Sequence, residues 1–384
     1  MKWFVFLVAL AGASVSLLTI VRAPDYMWTW KLAIVAGEYG HWFVLLPVGL
    51  AVAACFGVGG TGRILTWAIC AVAVVGFLRP VFAAWRIAGH LPADLRTAFG
   101  GGEAPFGLDF GRLYRGRTVP AAAVRTEIFA RPAGQELKLD FYRPAFAKDV
   151  LEQPRPCVIV IHGGGWDGGD RTQLAVWNAR LVAQGYAVAA VSYRLAPHWI
   201  WPAQRDDVLA AIAWLKAHAR ELEIDPTRLA LLGRSAGAQL ATAVGYGAND
   251  PAIRGVIALY GPHDMPFAWS VSREDDALNS LKLFRQYFGG PPDTPERKAR
   301  YESASGQLLA HTGLPPTLLV HGVSDTLSWY RHSERLAARL QTLGVPHYYL
   351  QLPWATHGFD FNPDGPGGQL ADYAITQFLA TVTR

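Results

Sequence analysis

Leu231-Leu232-Gly233-Arg234-Ser235-Ala236-Gly237-Ala238 reads as a buried strand, a tight turn and the first turn of a helix. The glycines carry the reading. Small residues on both sides of Ser235 permit a strained turn that projects the hydroxyl away from the backbone, where a substrate reaches it. Five residues of the form G-x-S-x-G arise by chance, so the setting decides. Leu229 to Leu232 is a short apolar run, and Gln239 to Val244 continues at helical composition, so strand, turn and helix follow in order. Ser235 is therefore the candidate nucleophile.

Working outward, runs of strand type alternate with helical segments. Residues 124–130 and 136–142 read as a first pair of strands, and 157–161, 186–193, 256–260, 317–320 and 348–352 as further ones. Helical spacing marks 206–219, with Val208, Ile212 and Leu215 on one face, then 333–343 and 368–381. Strands separated by helices predict an α/β fold with a mainly parallel sheet flanked by helices over 121–384. Functional groups then collect at the carboxyl ends of the strands.

Polar residues fall at those ends. His162-Gly163-Gly164-Gly165-Trp166 follows the 157–161 strand, so three glycines expose backbone N–H groups there; Gly164, Gly165 and Ala236 are the candidate donors to an oxyanion. A serine hydroxyl needs a base, and His357 lies just after the last strand. Asp325 follows the preceding strand and suits the acid that orients the imidazole, with Asp264 as the fallback. Asp360 and Asp364 follow His357 too closely to serve. The order Ser235, Asp325, His357 is that of α/β-hydrolases.

On these motifs the region from about 125 to 384 resembles an α/β-hydrolase of the hormone-sensitive-lipase and feruloyl-esterase-like (BD-FAE-like) esterase group. The resemblance rests on His-Gly-Gly-Gly-Trp, then Ser192-Tyr193-Arg194-Leu195-Ala196-Pro197, then Gly-Arg-Ser-Ala-Gly, then Pro315-Pro316, then Thr356-His357-Gly358. It implies that fold and ester chemistry, and a structural brace near the oxyanion loop for the Tyr-Arg-Leu-Ala-Pro stretch. Many relatives have Gly-Asp-Ser-Ala-Gly and Tyr-Arg-Leu-Ala-Pro-Glu where this chain has Arg234 and His198, so the resemblance leaves the substrate subgroup open. The long connection 261–316, with Met265, Phe267, Trp269, Phe284, Tyr287 and Phe288, is either a lid over the site or an insertion packed on the domain. As a lid it would hold an acyl chain, with Trp166 lining the same pocket.

Residues 1–98 differ in kind. Hydrophobic residues make up 51% of the chain, and the excess is concentrated there. Three transmembrane helices are expected at 3–21, 42–58 and 64–85, the last two as a hairpin, with a juxtamembrane helix to 98 and a linker over 99–120. Tyr26, Trp28, Trp30, Tyr39 and Trp42 cluster around the first loop, at headgroup level. Arg22, Lys31, Arg79, Arg86 and Arg96 outnumber Lys2 and Arg63, which points to a multi-pass membrane protein with its large domain in the cytoplasm, and Arg112, Arg115 and Arg117 leaning on anionic lipid. A cleavable first segment, with Ala9-Leu10-Ala11 as the cleavage site, would reverse that. Gly57 to Gly62 matches G-x-G-x-x-G but follows no strand, so no dinucleotide site is expected.

A formal charge of +5 comes without any nucleic-acid motif, so no nucleic acid is expected as partner. Cys55, Cys70 and Cys157 make no disulfide framework or zinc site, and the chemistry calls for no metal or cofactor. The expectation is a membrane-anchored serine hydrolase of carboxylic esters, with Ser235, His357 and Asp325 as its triad and the lipid bilayer as its partner. The alternatives are a kynurenine-formamidase-like amide hydrolase, an acyltransferase, or a non-catalytic tethered protein of hydrolase shape.

Overall fold

The computed structural model describes residues 2–101, 104–144 and 154–384; Gly102, within the expected linker, lies outside them. The sheet has eight strands: β1 (Ala122–Ala130), β2 (Leu137–Pro144), β3 (Arg155–Ile161), β4 (Ala187–Val191), β5 (Ile224–Arg234), β6 (Ile253–Leu259), β7 (Thr317–Gly322) and β8 (His347–Leu352). They lie in the order β1-β2-β4-β3-β5-β6-β7-β8. β2 pairs antiparallel with β1 and β4, and every pairing from β4 onward is parallel. A short connection joins β1 to β2, whereas each parallel step needs a crossover, which the helices supply.

Burial on both faces explains why the central strands are continuous apolar runs. In β3, Cys157, Ile159 and Ile161 enter one core layer while Val158 and Val160 enter the other. The second layer also takes in Val81, Ala84 and Ala88, then Leu91 and Leu95. The end of the N-terminal region thus packs into the same core layer as the sheet.

The chain opens with α1 (Lys2–Ser16), α2 (Met27–Phe43), α3 (Leu45–Gly57), α4 (Gly60–Ala88) and α5 (Leu91–Phe99). The expected aromatic loop before residue 42 is mostly α2. Its small residues let it lie close to its neighbours: a Cβ on Gly37 would touch the Trp354 ring at 3.4 Å, and one on Gly40 would press on Phe77 O at 2.8 Å. Among the described residues, α4 alone is by length and composition long and apolar enough to cross a membrane; α2 and α3 pass only as a pair bent by 55°, and residues 3–19 form a shorter apolar helix. The expected juxtamembrane segment is the end of α4 plus α5, and α5 docks on the sheet side through Asp94, which accepts from Tyr348 Oη at 3.0 Å, and through Phe99 against Phe378.

The expected linker contains a helix, Phe110–Arg115, capped by Asp109. Arg112 corrects another expectation. Instead of facing lipid, it is largely buried, with Asp364 at 2.5 Å and Asp372 at 2.7 Å, and it shares Asp364 with the buried Arg180. The Gly57–Gly62 match lies at the break between α3 and α4, away from any strand.

Candidate active site

The turn after β5 is built from close approaches. A Cβ on Gly233 would collide with Gly237 O, and one on Gly237 would be driven into the carbonyl oxygens of Ile161 and His162. Both positions therefore admit only glycine. Ser235 sits between them at φ 53, ψ −119, a strained conformation that leaves its Oγ clear of the backbone, and helix Ala236–Gly247 starts at the next residue.

Three strand ends converge on that Oγ. Ser235 Oγ donates to His357 Nε2 at 2.8 Å, and His357 Nδ1 donates to Asp325 Oδ2 at 2.7 Å. Asp325 is fully buried; its Oδ1 accepts from the Leu327 and Ser328 amides at 2.8 Å each, and its Oδ2 also accepts from His321 Nε2 at 3.1 Å. Burial alone would raise the pKa of this carboxyl, but the His357 charge and the hydrogen bonds from both histidines outweigh it and hold the carboxyl below its ordinary range. A carboxylate kept ionised here fixes the tautomer and orientation of the His357 ring. The fallback Asp264 is occupied elsewhere: it caps helix Met265–Val271 and pairs with Arg335 at 2.7 Å.

Gly164, Gly165 and Ala236 all line the cleft around Ser235, whereas the Gly163 N–H is taken by Gln173 Oε1 at 2.8 Å. Gly164 at φ 122 and Gly165 at φ 59 hold conformations that favour glycine. The loop is braced from behind. Tyr193 stacks on His162 at 4.2 Å and donates to its carbonyl at 3.1 Å, and the Ala196 amide donates to Trp166 O at 2.9 Å. Arg194 stiffens that stretch by its pairing with Asp207 at 2.8 Å.

Trp166 lines the cleft, as expected, but it is buried; it stacks on Tyr287 at 4.4 Å and donates from Nε1 to Gln239 Oε1 at 2.9 Å. The 261–316 connection divides its labour. Met265, Phe284, Tyr287 and Phe288 are core residues, so most of its aromatics pack inward, while Leu278 and Leu283 reach the cleft.

Arg234, the departure in the serine motif, is buried and pairs with Asp360 at 2.5 Å, its guanidinium lying 5.6 Å from the Trp177 ring. Asp360 also accepts from Tyr260 Oη, and the Tyr260 ring sits 4.5 Å from His357. This ion pair ties the serine turn to the histidine loop. Sequence reasoning set Asp360 aside as a catalytic acid without finding its partner. It also passed over His321, although a histidine at a strand end four residues before Asp325 was visible.

The largest omission is the N-terminal segment. Arg22, Asp25, Met27 and Trp30 line the cleft together with Ser235. Trp30 Nε1 donates to the backbone carbonyl of His357 at 2.8 Å, and Arg22 Nη2 reaches Thr326 O at 3.4 Å. Among the described residues no group of three or more His, Cys, Asp or Glu could hold a metal ion.

Comparison with known proteins places this architecture. The BD-FAE family profile matches residues 139–340. Esterase LipC of Mycobacterium tuberculosis is 31% identical over 262 residues, 64% of this chain and 62% of that protein, so the match spans less than two thirds of that relative. The probable carboxylic ester hydrolase LipM of the same organism is 27% identical over 390 residues, covering 93% of this chain and 87% of its own length. Among solved structures, a bacterial heroin esterase is 26% identical with a TM-score of 0.61, covering 71% of this chain and 89% of that one.

Proposed function

Because this chain belongs to the BD-FAE family of α/β-hydrolases, and its serine, histidine and aspartate stand within hydrogen-bond reach of one another, we propose that it hydrolyses carboxylic esters through an acyl-enzyme. The observation that carries the reading is the relay from Ser235 Oγ through His357 to a buried, fully hydrogen-bonded Asp325. Ser235 Oγ attacks the acyl carbon while His357 Nε2 takes its proton. The amides of Gly164, Gly165 and Ala236 hold the oxyanion, and His357 returns the proton to the departing alcohol oxygen. Water, activated by the same imidazole, then releases the acid. Asp325 positions the ring throughout.

The N-terminal helices hold this site at a membrane in the same reading. Exposed large apolar side chains concentrate in α1, α3 and α4, among them Trp3, Phe4, Leu7, Phe56, Ile64 and Val75, which is the surface a bilayer covers. Arg22 and Arg86 stand at the domain end of those helices with the larger basic count, which favours the cytoplasmic face.

The test is hydrolysis of p-nitrophenyl esters by detergent-solubilised wild type and Ser235→Ala, with fluorophosphonate labelling alongside. Wild type alone should turn over ester and take the label; equal labelling of the variant would locate the nucleophile elsewhere.

A further inference from the structure

Ser235 stands at the junction of two cavities that also share Gly165, Leu278, Leu283 and Leu327. Resting on the serine-hydrolase reading above, we infer that the N-terminal segment walls the leaving-group side of the site, and that the ester it takes joins a short acyl group to a larger apolar alcohol.

Proton transfer decides which cavity is which. The alcohol oxygen receives its proton from His357 Nε2, so the alcohol must occupy the cavity lined by His357, Gly358, Tyr260 and Phe361. The acyl group is left with the other, lined by Ala236, Trp166, Phe284 and Trp329. Their sizes differ twofold: about 360 Å³ on the alcohol side and about 180 Å³ on the acyl side.

Their outer walls differ in chemistry as well. Arg22, Asp25, Arg273 and Asp276 line the acyl cavity, with Asp25 3.7 Å from the Arg273 guanidinium, so a long acyl chain would be pressed against charge it cannot solvate. Met27 and Trp30 complete the alcohol cavity with Leu174 and Ala277. A methionine there adapts to irregular apolar shapes, and Trp30 cannot drift, because its indole N–H is held on the His357 carbonyl. The helix that carries both residues thus sets the distance between the apolar wall and the general acid. Tyr26 and Trp28, both more than half exposed beside this wall, give an amphiphilic ester an aromatic approach to the mouth.

The experiment uses the full chain in detergent micelles and two isomeric esters, decyl acetate and ethyl decanoate, followed by titration of released acid. Equal composition keeps their partitioning into micelles close. Wild type should prefer decyl acetate in kcat/KM by at least tenfold. Met27→Glu puts a carboxylate into the apolar wall at the first turn of α2, a position a helix tolerates, and should cut the ratio of decyl acetate to methyl acetate at least tenfold; Met27→Leu should keep that ratio. Preference for ethyl decanoate, or a ratio indifferent to Met27→Glu in protein with a wild-type melting curve, overturns the assignment while leaving the serine-hydrolase reading intact. Activity on both esters that persists in Ser235→Ala overturns both.

Discussion

Raising the pH should loosen the N-terminal helices from the hydrolase domain, and the group responsible is Glu38. Its side chain is buried between α2 and the start of helix Pro366–Val382, accepting from Trp354 Nε1 at 3.1 Å and from the Gly367 amide at 2.9 Å. Gly365 and Gly367 form the cradle, since a Cβ at either would come within 2.5 and 2.8 Å of the carboxyl oxygens. Burial pushes this carboxyl from 4.5 up to about 8, against the hydrogen bonds from Gly367, Trp354 and Gly368, with the Asp360 charge adding to the rise. The docked state therefore holds a proton that the undocked state releases above its ordinary pKa. Stability is fully present below about pH 4.5 and declines until pH 8, by roughly 5 kcal/mol at about 1.4 kcal/mol per pH unit. With an unfolding entropy of about 2.1 cal/mol/K per residue, that loss lowers Tm by roughly 6 °C if the chain unfolds as one unit. Melting curves from tryptophan fluorescence in detergent, at pH 5 to 9, read it directly. Glu38→Gln, neutral at every pH, should flatten the decline relative to wild type. Parallel curves for the two proteins would refute the argument.

Two further changes probe the site. Arg234→Met strands the Asp360 carboxylate in the core and should destabilise the protein by about 3–5 kcal/mol, as breaking a buried pair does; urea unfolding measures it, and adding Asp360→Asn should recover much of the loss. Failure of the double variant to recover would mean that the pair is not what the single change disturbs. Asp325→Asn should lower kcat by roughly 10⁴-fold, the size of effect expected when the acid of such a triad can no longer fix the imidazole tautomer, with KM little changed. A loss below tenfold in steady-state ester hydrolysis would remove Asp325 from that role.

The parts legible in the sequence were those set by local chemistry. Gly233 and Gly237 are required by backbone contacts within a turn, and the strand ends that bear His162, Asp325 and His357 are marked by apolar runs of β type, so the convergence on Ser235 follows from fold order. What stayed hidden is pairing across long separations. Helix α2 breaks its own apolar pattern with Gly37, Glu38, Gly40 and His41, and each break has a partner far along the chain, such as Leu113 O for His41 at 2.9 Å. The same holds for Arg234, whose partner lies 126 residues later. The aromatics of 261–316 were ambiguous because core packing and a cavity lining call for the same residue types; Phe284 is a core residue and lines the cleft at once.

The Glu38 cradle also orders the protein's biosynthesis. Glu38 and Trp30 are made more than three hundred residues before Gly367 and the His357 carbonyl that receive them, at separations of 329 and 327. While the ribosome is still adding strands, α2 has no dock, and its carboxylate remains ionised in water. The cradle exists once Trp354, Gly365 and Gly367 have been added, and seating Glu38 there takes up a proton from solution at neutral pH. The wall of the cleft is thus translated well before the segments it docks on, so a chain arrested ahead of helix Pro366–Val382 carries Ser235 without the Glu38 cradle.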